Sequence, residues 1–87
     1  MAEAVNPPMT REKMRADIAR ALRMAPDEFG DDEDLADLGL DSLRAINLVT
    51  CWGEAGLSLE FGELAEKLTV DAWWAVAERA MAKQARG

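Results

Sequence analysis

Apolar residues recur at helical spacing in three stretches of the chain, and the first lies near the N-terminus. Its apolar positions are Met14, Ile18, Ala21 and Leu22. Their separation by three or four residues predicts an amphipathic helix of about 15 residues. Thr10 is a good N-terminal cap for this helix, and Pro26 requires it to end beforehand.

The second periodic stretch predicts a helix from about Ser42 to Glu54, which stops near Gly53 and Gly56. Its broad apolar side contains Ala45, Ile46, Leu48, Val49 and Trp52. We expect this side to face the core for the most part. Leu43 falls on the opposite side of the same helix, so we expect an exposed leucine there.

The third periodic stretch predicts a helix over about 70–83, with Thr69 as its N-terminal cap and Asp71 in its first turn. The core face contains Trp73, Val76, Ala77, Ala80 and Met81. Trp74 lies about 100° from Trp73 around the helix, and we therefore expect it to be partly buried.

A short segment links the second and third long helices. Apolar and polar residues alternate from Leu57 to Phe61, which is typical of a strand, but the chain offers no second strand to pair with it. We predict an extended connector with its apolar side buried, followed by one short helical turn over 62–66. The chain is thus predicted to be all-α, with three main helices, one short helix and a long first loop.

The long first loop, over 25–40, is strongly acidic. Its acids are Asp27, Glu28, Asp31, Asp32, Glu33, Asp34 and Asp37. An EF-hand calcium loop needs a glycine at its sixth position and oxygen ligands at the third and fifth. A loop starting at Asp27 has Phe29 third, and one starting at Asp32 has Ala36 fifth, so the pattern fails. We predict a solvated loop that Phe29, Leu35 and Leu38 pin to the core.

The length of 87 residues predicts one small domain. We place a flexible tail at 1–9, where Pro7 and Pro8 block a helix, a domain at 10–84 and a second tail at 85–87. The initiating methionine and the first tail favour a free-standing protein.

Charge and composition exclude several classes of function. The chain has 10 basic and 17 acidic residues and a net charge of −7, which argues against partners such as nucleic acid and anionic membranes. No apolar run approaches the roughly 18 residues of a membrane span, and no signal peptide is evident. The chain has one cysteine, Cys51, and no histidine, so a zinc site is implausible. A single cysteine cannot form an internal disulfide, which favours the cytoplasm.

Ser42 is the candidate functional residue. Gly39 ends the preceding segment, and Asp41 and Ser42 are both favoured at helix starts, so one of them could simply cap the helix. Without histidine a Ser-His-Asp triad is impossible, although a Ser-Lys pair is not formally excluded. A hydroxyl at the positive end of a helix tolerates an attached phosphate. We interpret Ser42 as a hydroxyl to be modified, so that no catalytic residue is assigned.

The residues around Ser42 resemble the attachment motif of the acyl and peptidyl carrier protein family, Leu-Gly-x-Asp-Ser-Leu. The matching residues are Leu38, Gly39, Asp41, Ser42 and Leu43. The resemblance implies a carrier-type four-helix bundle over nearly the whole chain. It also implies that a phosphopantetheinyl transferase, with magnesium, transfers 4′-phosphopantetheine from coenzyme A to Ser42.

Other residues resemble the aryl carrier domains of siderophore-type nonribosomal assembly lines. The marks are Ser42-Leu43-Arg44, Trp52, Phe61, Leu64-Ala65 and Thr69-Val70-Asp71-Ala72-Trp73-Trp74. Such domains are often fused to an isochorismatase, which this chain is too short to include. Fatty-acid carriers typically have acids along the second helix after the serine, whereas Arg44 and Asn47 follow Ser42 here.

The resemblance implies a non-catalytic, monomeric carrier in nonribosomal peptide or related secondary-metabolite biosynthesis. An adenylating enzyme would load an aryl or aminoacyl group as a thioester, and a condensing or other acyl-accepting enzyme would take it. Candidate partner contacts are Leu43, Arg44, Ile46, Asn47, Phe61 and Ala65. For Ile46 and Phe61, burial in the core is an equally acceptable interpretation.

Three rival functions stay open at this point. A polyketide or peptidyl type of carrier would hold a different acyl group on the same arm. An unmodified acidic helical adaptor would not need the Ser42 hydroxyl. A small hydrolase that uses Ser42 as nucleophile is disfavoured by the missing histidine.

Overall fold

Four helices account for most of the chain in the computed structural model, which describes residues 9–86. They are α1 (Arg11–Leu22), α2 (Ser42–Glu54), α3 (Phe61–Glu66) and α4 (Val70–Arg86). No strand occurs within the described range, so the all-α prediction is confirmed. The predicted tail lies outside the described residues at 1–8, and so does Gly87.

The first helix is shorter than its periodicity suggests. Thr10 caps it as predicted, with its hydroxyl accepting a hydrogen bond from the Lys13 amide at 3.1 Å. The helix ends at Leu22, because Arg23 adopts a left-handed conformation with φ 59°. The Met24 amide then donates to the Ala19 carbonyl at 2.9 Å, which closes the end in the manner of a Schellman turn. The helix therefore stops well before Pro26.

Residues beyond each end of the predicted domain belong to the core or to a helix. Met9, which we assigned to the flexible tail, is fully buried in the core. At the other end α4 continues to Arg86, so residues 85 and 86 are helical where we expected a tail. The Thr69 hydroxyl accepts a hydrogen bond from the Ala72 amide at 3.1 Å, which confirms its predicted capping role at the start of α4.

Two tryptophans form the centre of the core. Trp52 of α2 and Trp73 of α4 meet edge to face, with ring centroids 6.1 Å apart and an angle of 86° between the rings. The Trp73 indole N–H donates to the Leu64 carbonyl of α3 at 2.9 Å. That of Trp52 donates to the Asp17 carboxylate of α1 at 2.8 Å. The pair thus links all four helices.

The connector between α2 and α3 agrees only in part with its alternating pattern. Residues 57–60 have no regular secondary structure, and Leu57 is buried while Leu59 is half-buried. Phe61 differs, because it opens α3 and its ring is exposed. The expectation that Phe61 belongs to the buried side was wrong. Because α3 begins at Phe61, the direction of this side chain follows the helix and not the alternation of the connector.

The acidic loop is held to the helices by an ion-pair cluster of Arg11, Arg15, Asp31 and Asp71. Arg11 pairs with Asp31 at 2.7 Å and also with Asp71, while Arg15 pairs with Asp31 and donates to the Phe29 carbonyl. The Arg15 guanidinium also lies 4.8 Å from the centre of the Phe29 ring.

One acid of the loop is less solvated than we expected. Asp31 was predicted to be solvated with the other acids, yet it is half-buried between two arginines. Phe29 and Leu35 are buried and Leu38 half-buried, which confirms them as pinning residues. The Leu35 amide donates to the Leu68 carbonyl at 2.7 Å, so the loop is tied to the segment between α3 and α4.

We expect the domain to lose stability in acid through Asp31. Hydrogen bonds and charge from Arg11, with Arg15 beside it, lower the pKa of Asp31. A carboxylate whose folded pKa lies below its unfolded one stabilises the fold above the unfolded pKa, and this stabilisation is lost as the pH falls through the folded pKa. Denaturant unfolding from about pH 5 to about pH 2 measures the loss.

The Asp31→Asn variant tests this expectation, with Asp32→Asn as its control because Asp32 is an exposed neighbour. Asp31→Asn should be less stable at neutral pH and lose less free energy of unfolding on acidification, while Asp32→Asn should follow the wild type. Equal acid dependence for all three proteins would contradict a stabilising role for the cluster.

Within residues 9–86, every helix is too short or too polar to cross a membrane.

Candidate functional site

Ser42 is the first residue of α2, and its side chain is exposed. The capping role falls to its neighbour: Asp41 has the extended backbone of an N-cap, and its carboxylate accepts a hydrogen bond from the Arg44 amide at 2.8 Å. The Ser42 hydroxyl is therefore not needed to satisfy the helix start. It stands at the positive end of the helix, where a phosphate group is favoured.

Gly39 shapes the approach to this helix. Its φ is +110°, a conformation that residues with a side chain rarely adopt, although a Cβ there would meet no atom within 4 Å. The turn lets Leu40 return to the core, where its amide donates to the Leu35 carbonyl at 3.0 Å. Asp41 and Ser42 then emerge at the surface. The glycine of the motif is thus required by the backbone rather than by contacts.

A cleft of about 320 Å³ opens beside Ser42. Phe61 and Ala65 of α3 form one wall, as the predicted partner residues suggested. The other lining residues besides Asp41 and Ser42 are Ala36, Leu40, Ala45 and Leu68. These four were not predicted as site residues. The sequence shows that they are apolar, but not that the first loop, α2 and α3 converge on the serine. The hydrogen bond from Leu35 to Leu68 holds two of the converging segments together.

The predicted partner residues do not form one patch. Leu43 is 68% exposed, and Ile46 on the next turn of α2 is exposed as well, so the expectation for Leu43 is confirmed and core burial of Ile46 was wrong. Arg44 and Asn47 are also exposed, but they line a separate groove that α2 forms with α1. Only Phe61 and Ala65 share the cleft with Ser42.

The chemistry of the site suits attachment of a phosphate ester. Among the described residues that line the cleft, the only ionisable side chain is Asp41, which caps α2. Across 9–86, no three or more His, Cys, Asp or Glu side chains are grouped to hold a metal ion. An exposed hydroxyl at a helix start beside an apolar cleft fits 4′-phosphopantetheine, because the helix start favours a phosphate group.

Comparisons with known proteins point to one family. The model of the family described as "Phosphopantetheine attachment site" matches residues 12–75, a range that includes Ser42. The acyl carrier protein ScoB of Streptomyces coeruleorubidus is 43% identical over 67 residues, which cover 77% of this chain and 79% of that protein. No solved structure matches the chain.

Two further relatives are much longer proteins. The isochorismatase of Bacillus subtilis is 44% identical over 64 residues, which cover 74% of this chain and 20% of the relative. Enterobactin synthase component B of Escherichia coli K12 is 35% identical over 72 residues, which cover 83% of this chain and 25% of the relative. The match with the family model over most of the chain, and the 43% identical carrier protein, show that the chain belongs to the family of phosphopantetheine-dependent carrier proteins.

Proposed function

We propose that Ser42 carries the 4′-phosphopantetheine of this carrier protein. The observation that supports this choice is the exposed hydroxyl at the start of α2, beside the cleft and inside the matched range 12–75. Gly39, Asp41 and Leu43 flank the attachment site. The only other serine, Ser58, lies in the extended connector before α3 and is not itself at the start of a helix.

The part played by the chain is to present and orient this hydroxyl. In the transferase the Ser42 oxygen would form a new phosphoester bond to the phosphopantetheine phosphate of coenzyme A. The pyrophosphate bond of coenzyme A would break, its nucleotide part would leave, and a base of the transferase would accept the hydroxyl proton. The start of α2 stabilises the negative charge of the resulting phosphodiester. Once attached, the group supplies a thiol that holds an acyl group as a thioester. We propose that the chain itself is not catalytic, since the cleft contains no general base besides the capping Asp41.

We propose an aryl acid as the acyl group, with nonribosomal peptide or siderophore assembly as the setting. The tryptophan pair 73–74 resembles that of aryl carrier domains, which are often fused to an isochorismatase, and an isochorismatase and an enterobactin synthase component are among the relatives. The alternative is an aminoacyl group or the acyl group of a polyketide-type carrier. The residues of the carrier do not specify the acyl group, because residues that contact the arm need not contact its cargo.

The partners proposed are a phosphopantetheinyl transferase, an adenylating enzyme and a condensing or other acyl-accepting enzyme. A flexible tether keeps the acyl group at a high effective concentration near each of them in turn. Exposed Leu43 and Ile46 on α2 and Phe61 on α3 provide small apolar contacts that still permit release. We further propose a monomeric, cytoplasmic protein with one carrier domain over about 10–84, to whose core Met9 also contributes.

Intact-protein mass after incubation with coenzyme A, magnesium and a broad-specificity phosphopantetheinyl transferase tests the attachment. A gain of one phosphopantetheine supports the proposal, and no gain with an active transferase would favour an unmodified adaptor. Loading of the modified protein by adenylating enzymes specific for aryl acids and for amino acids then tests the cargo. Faster loading with amino acids would contradict the aryl assignment.

Leu43→Asp should impair partner reactions without destabilising the domain. The leucine is exposed, and an acid in the first turn of α2 is favourable, so the free energy of unfolding should change by no more than about 0.5 kcal/mol. If Leu43 is a central contact, kcat/KM for loading by the adenylating enzyme should fall by at least about tenfold.

Thr50→Asp is the matched control for Leu43→Asp, because Thr50 is exposed two turns further along the same face of α2. It adds the same charge away from Ser42 and should leave loading nearly unchanged. Both proteins are first converted fully to the modified form, as checked by mass. Equal effects of the two variants would show a general charge effect instead of a contact at Leu43.

A further inference from the structure

A second groove lies between α1 and α2, on the flank of α2 opposite the Ser42 cleft. Its volume is about 380 Å³. Apolar groups of Ala21, Leu48, Trp52 and Ala55 line it together with Cys51 and Asn47. The remaining lining residues are charged, namely Lys13, Asp17, Arg20 and Arg44. The groove therefore combines apolar lining with a charged rim.

Positive charge predominates at this rim. Asp17 is the single carboxylate and only 13% of its side chain is exposed, because it accepts a hydrogen bond from the Trp52 indole at 2.8 Å. The same carboxylate lies 3.1 Å from Lys13 and 3.8 Å from Arg20. One negative charge thus faces two cations, whose side chains are 54% and 82% exposed.

Arg44 supplies the third cation of the rim. Its nearest carboxylate oxygen, on Asp41, is 3.4 Å away, and that residue already caps α2 through its other oxygen. An exposed ion pair of this kind contributes little free energy, so Arg44 can exchange its present partner for another at small cost. The excess of positive charge is local, since the whole chain has a net charge of −7.

We propose that this groove, which we call the α1–α2 groove, binds an acidic amphipathic segment of a partner protein. Apolar side chains of the segment would pack on Ala21, Leu48 and Ala55, and its carboxylates would lie against Lys13, Arg20 and Arg44. Charge complementarity of this kind gives selectivity for the partner. Basic or neutral segments lack this match. The rest of the chain is negatively charged and would repel an acidic segment, so we expect such a segment to bind only at the groove.

The position of the α1–α2 groove distinguishes it from the contacts around Ser42. Phe61 and Ala65 border the cleft on one flank of α2, whereas Arg44 and Cys51 border the groove on the other. A segment in the groove leaves the Ser42 hydroxyl accessible. The inference therefore goes beyond the carrier function, and it can be tested on protein without the attached arm.

The probe is a synthetic amphipathic peptide of about four helical turns with leucines on one face and glutamates beside them. A peptide with glutamine in place of every glutamate is the control. Cys51 is the only cysteine in the chain and is exposed in the groove, so its alkylation by iodoacetamide reports occupancy. The acidic peptide should slow alkylation and shift the NMR signals of the Trp52 indole and of 44–55, and the glutamine peptide should do neither.

Variants that remove rim charge test the same proposal. Lys13→Gln with Arg20→Gln should weaken binding of the acidic peptide by about tenfold. Arg79→Gln with Lys83→Gln removes the same charge from α4, away from the groove, and should leave binding unchanged. Ala55→Glu places a carboxylate at an exposed position of the apolar lining and should also weaken binding.

Several outcomes would overturn the proposal. They are absence of binding by the acidic peptide, equal binding by the glutamine peptide, NMR shifts confined to Leu43, Ile46 and Phe61, and equal losses in the rim and control variants. Concentration-dependent self-association that protects Cys51 without any peptide would show that a second copy of the chain occupies the groove instead. None of these results would bear on the modification of Ser42.

Discussion

Ser42→Ala is expected to abolish attachment of phosphopantetheine while leaving the fold intact. The variant removes the only atom to which the arm can be joined at this site. It should cost little stability, because Ser42 is exposed, Asp41 provides the cap of α2 and alanine is a good helix former. Intact-protein mass after treatment with coenzyme A and the transferase should show complete loss of the mass gain.

Ser58→Ala is the matched control, since Ser58 is the only other serine and is also exposed. It should be modified as fully as the wild type. Circular dichroism and thermal unfolding of both variants establish that they are folded. A mass gain that persists in Ser42→Ala, or that disappears in Ser58→Ala, would show that the arm is attached elsewhere.

Trp73→Ala should have the largest effect on stability, with a loss of about 3–5 kcal/mol in the free energy of unfolding. The side chain is fully buried, meets Trp52 edge to face and donates a hydrogen bond to the Leu64 carbonyl. A domain of this size has a total stability of about 4–13 kcal/mol. The loss is therefore a large fraction of the total stability, and the urea midpoint of the variant should fall in proportion.

Trp74→Ala provides the comparison, because Trp74 is the next residue in the chain and its side chain is only half-buried. Its loss should be clearly smaller, about 1–2 kcal/mol. Urea unfolding followed by circular dichroism measures both losses. Similar losses for the two variants would contradict the assignment of Trp73 to the centre of the core and of Trp74 to its edge.

The core tryptophan also bears on the candidate site. Its hydrogen bond to Leu64 ties α3 to α4, and α3 carries Phe61 and Ala65, which form one wall of the cleft beside Ser42. On the other side the hydrogen bond between Leu35 and Leu68 fixes the loop that precedes α2. The cleft is thus shaped by contacts of residues that do not themselves touch the serine.

Local chemistry in the sequence was sufficient to locate α2 and its serine. The predicted bounds of α2 agree with the structure, and the positions of Ser42 and Leu43 at the surface follow from the helical period. Thr10 and Thr69 cap their helices as predicted. Interactions of this kind involve residues within a few positions of one another, so they can be inferred without knowledge of the fold.

Some boundaries could not be inferred in this way. The left-handed conformation of Arg23 ends α1 early, and Met9 is buried in the core. Arginine has no particular preference for that conformation, and methionine in a proline-rich segment has no periodic neighbours. Both outcomes depend on what the rest of the chain packs against these residues.

The sequence alone determined which helices form, which serine is presented at a helix start and which faces are apolar. Only the tertiary structure decided that Ile46 and Phe61 are exposed, that Asp31 lies between two arginines, and that α2 has the Ser42 cleft on one flank and a positively charged groove on the other. The physical reason is that the helical period fixes the direction of a side chain around its own axis. Which neighbour covers that side chain depends on how distant segments pack.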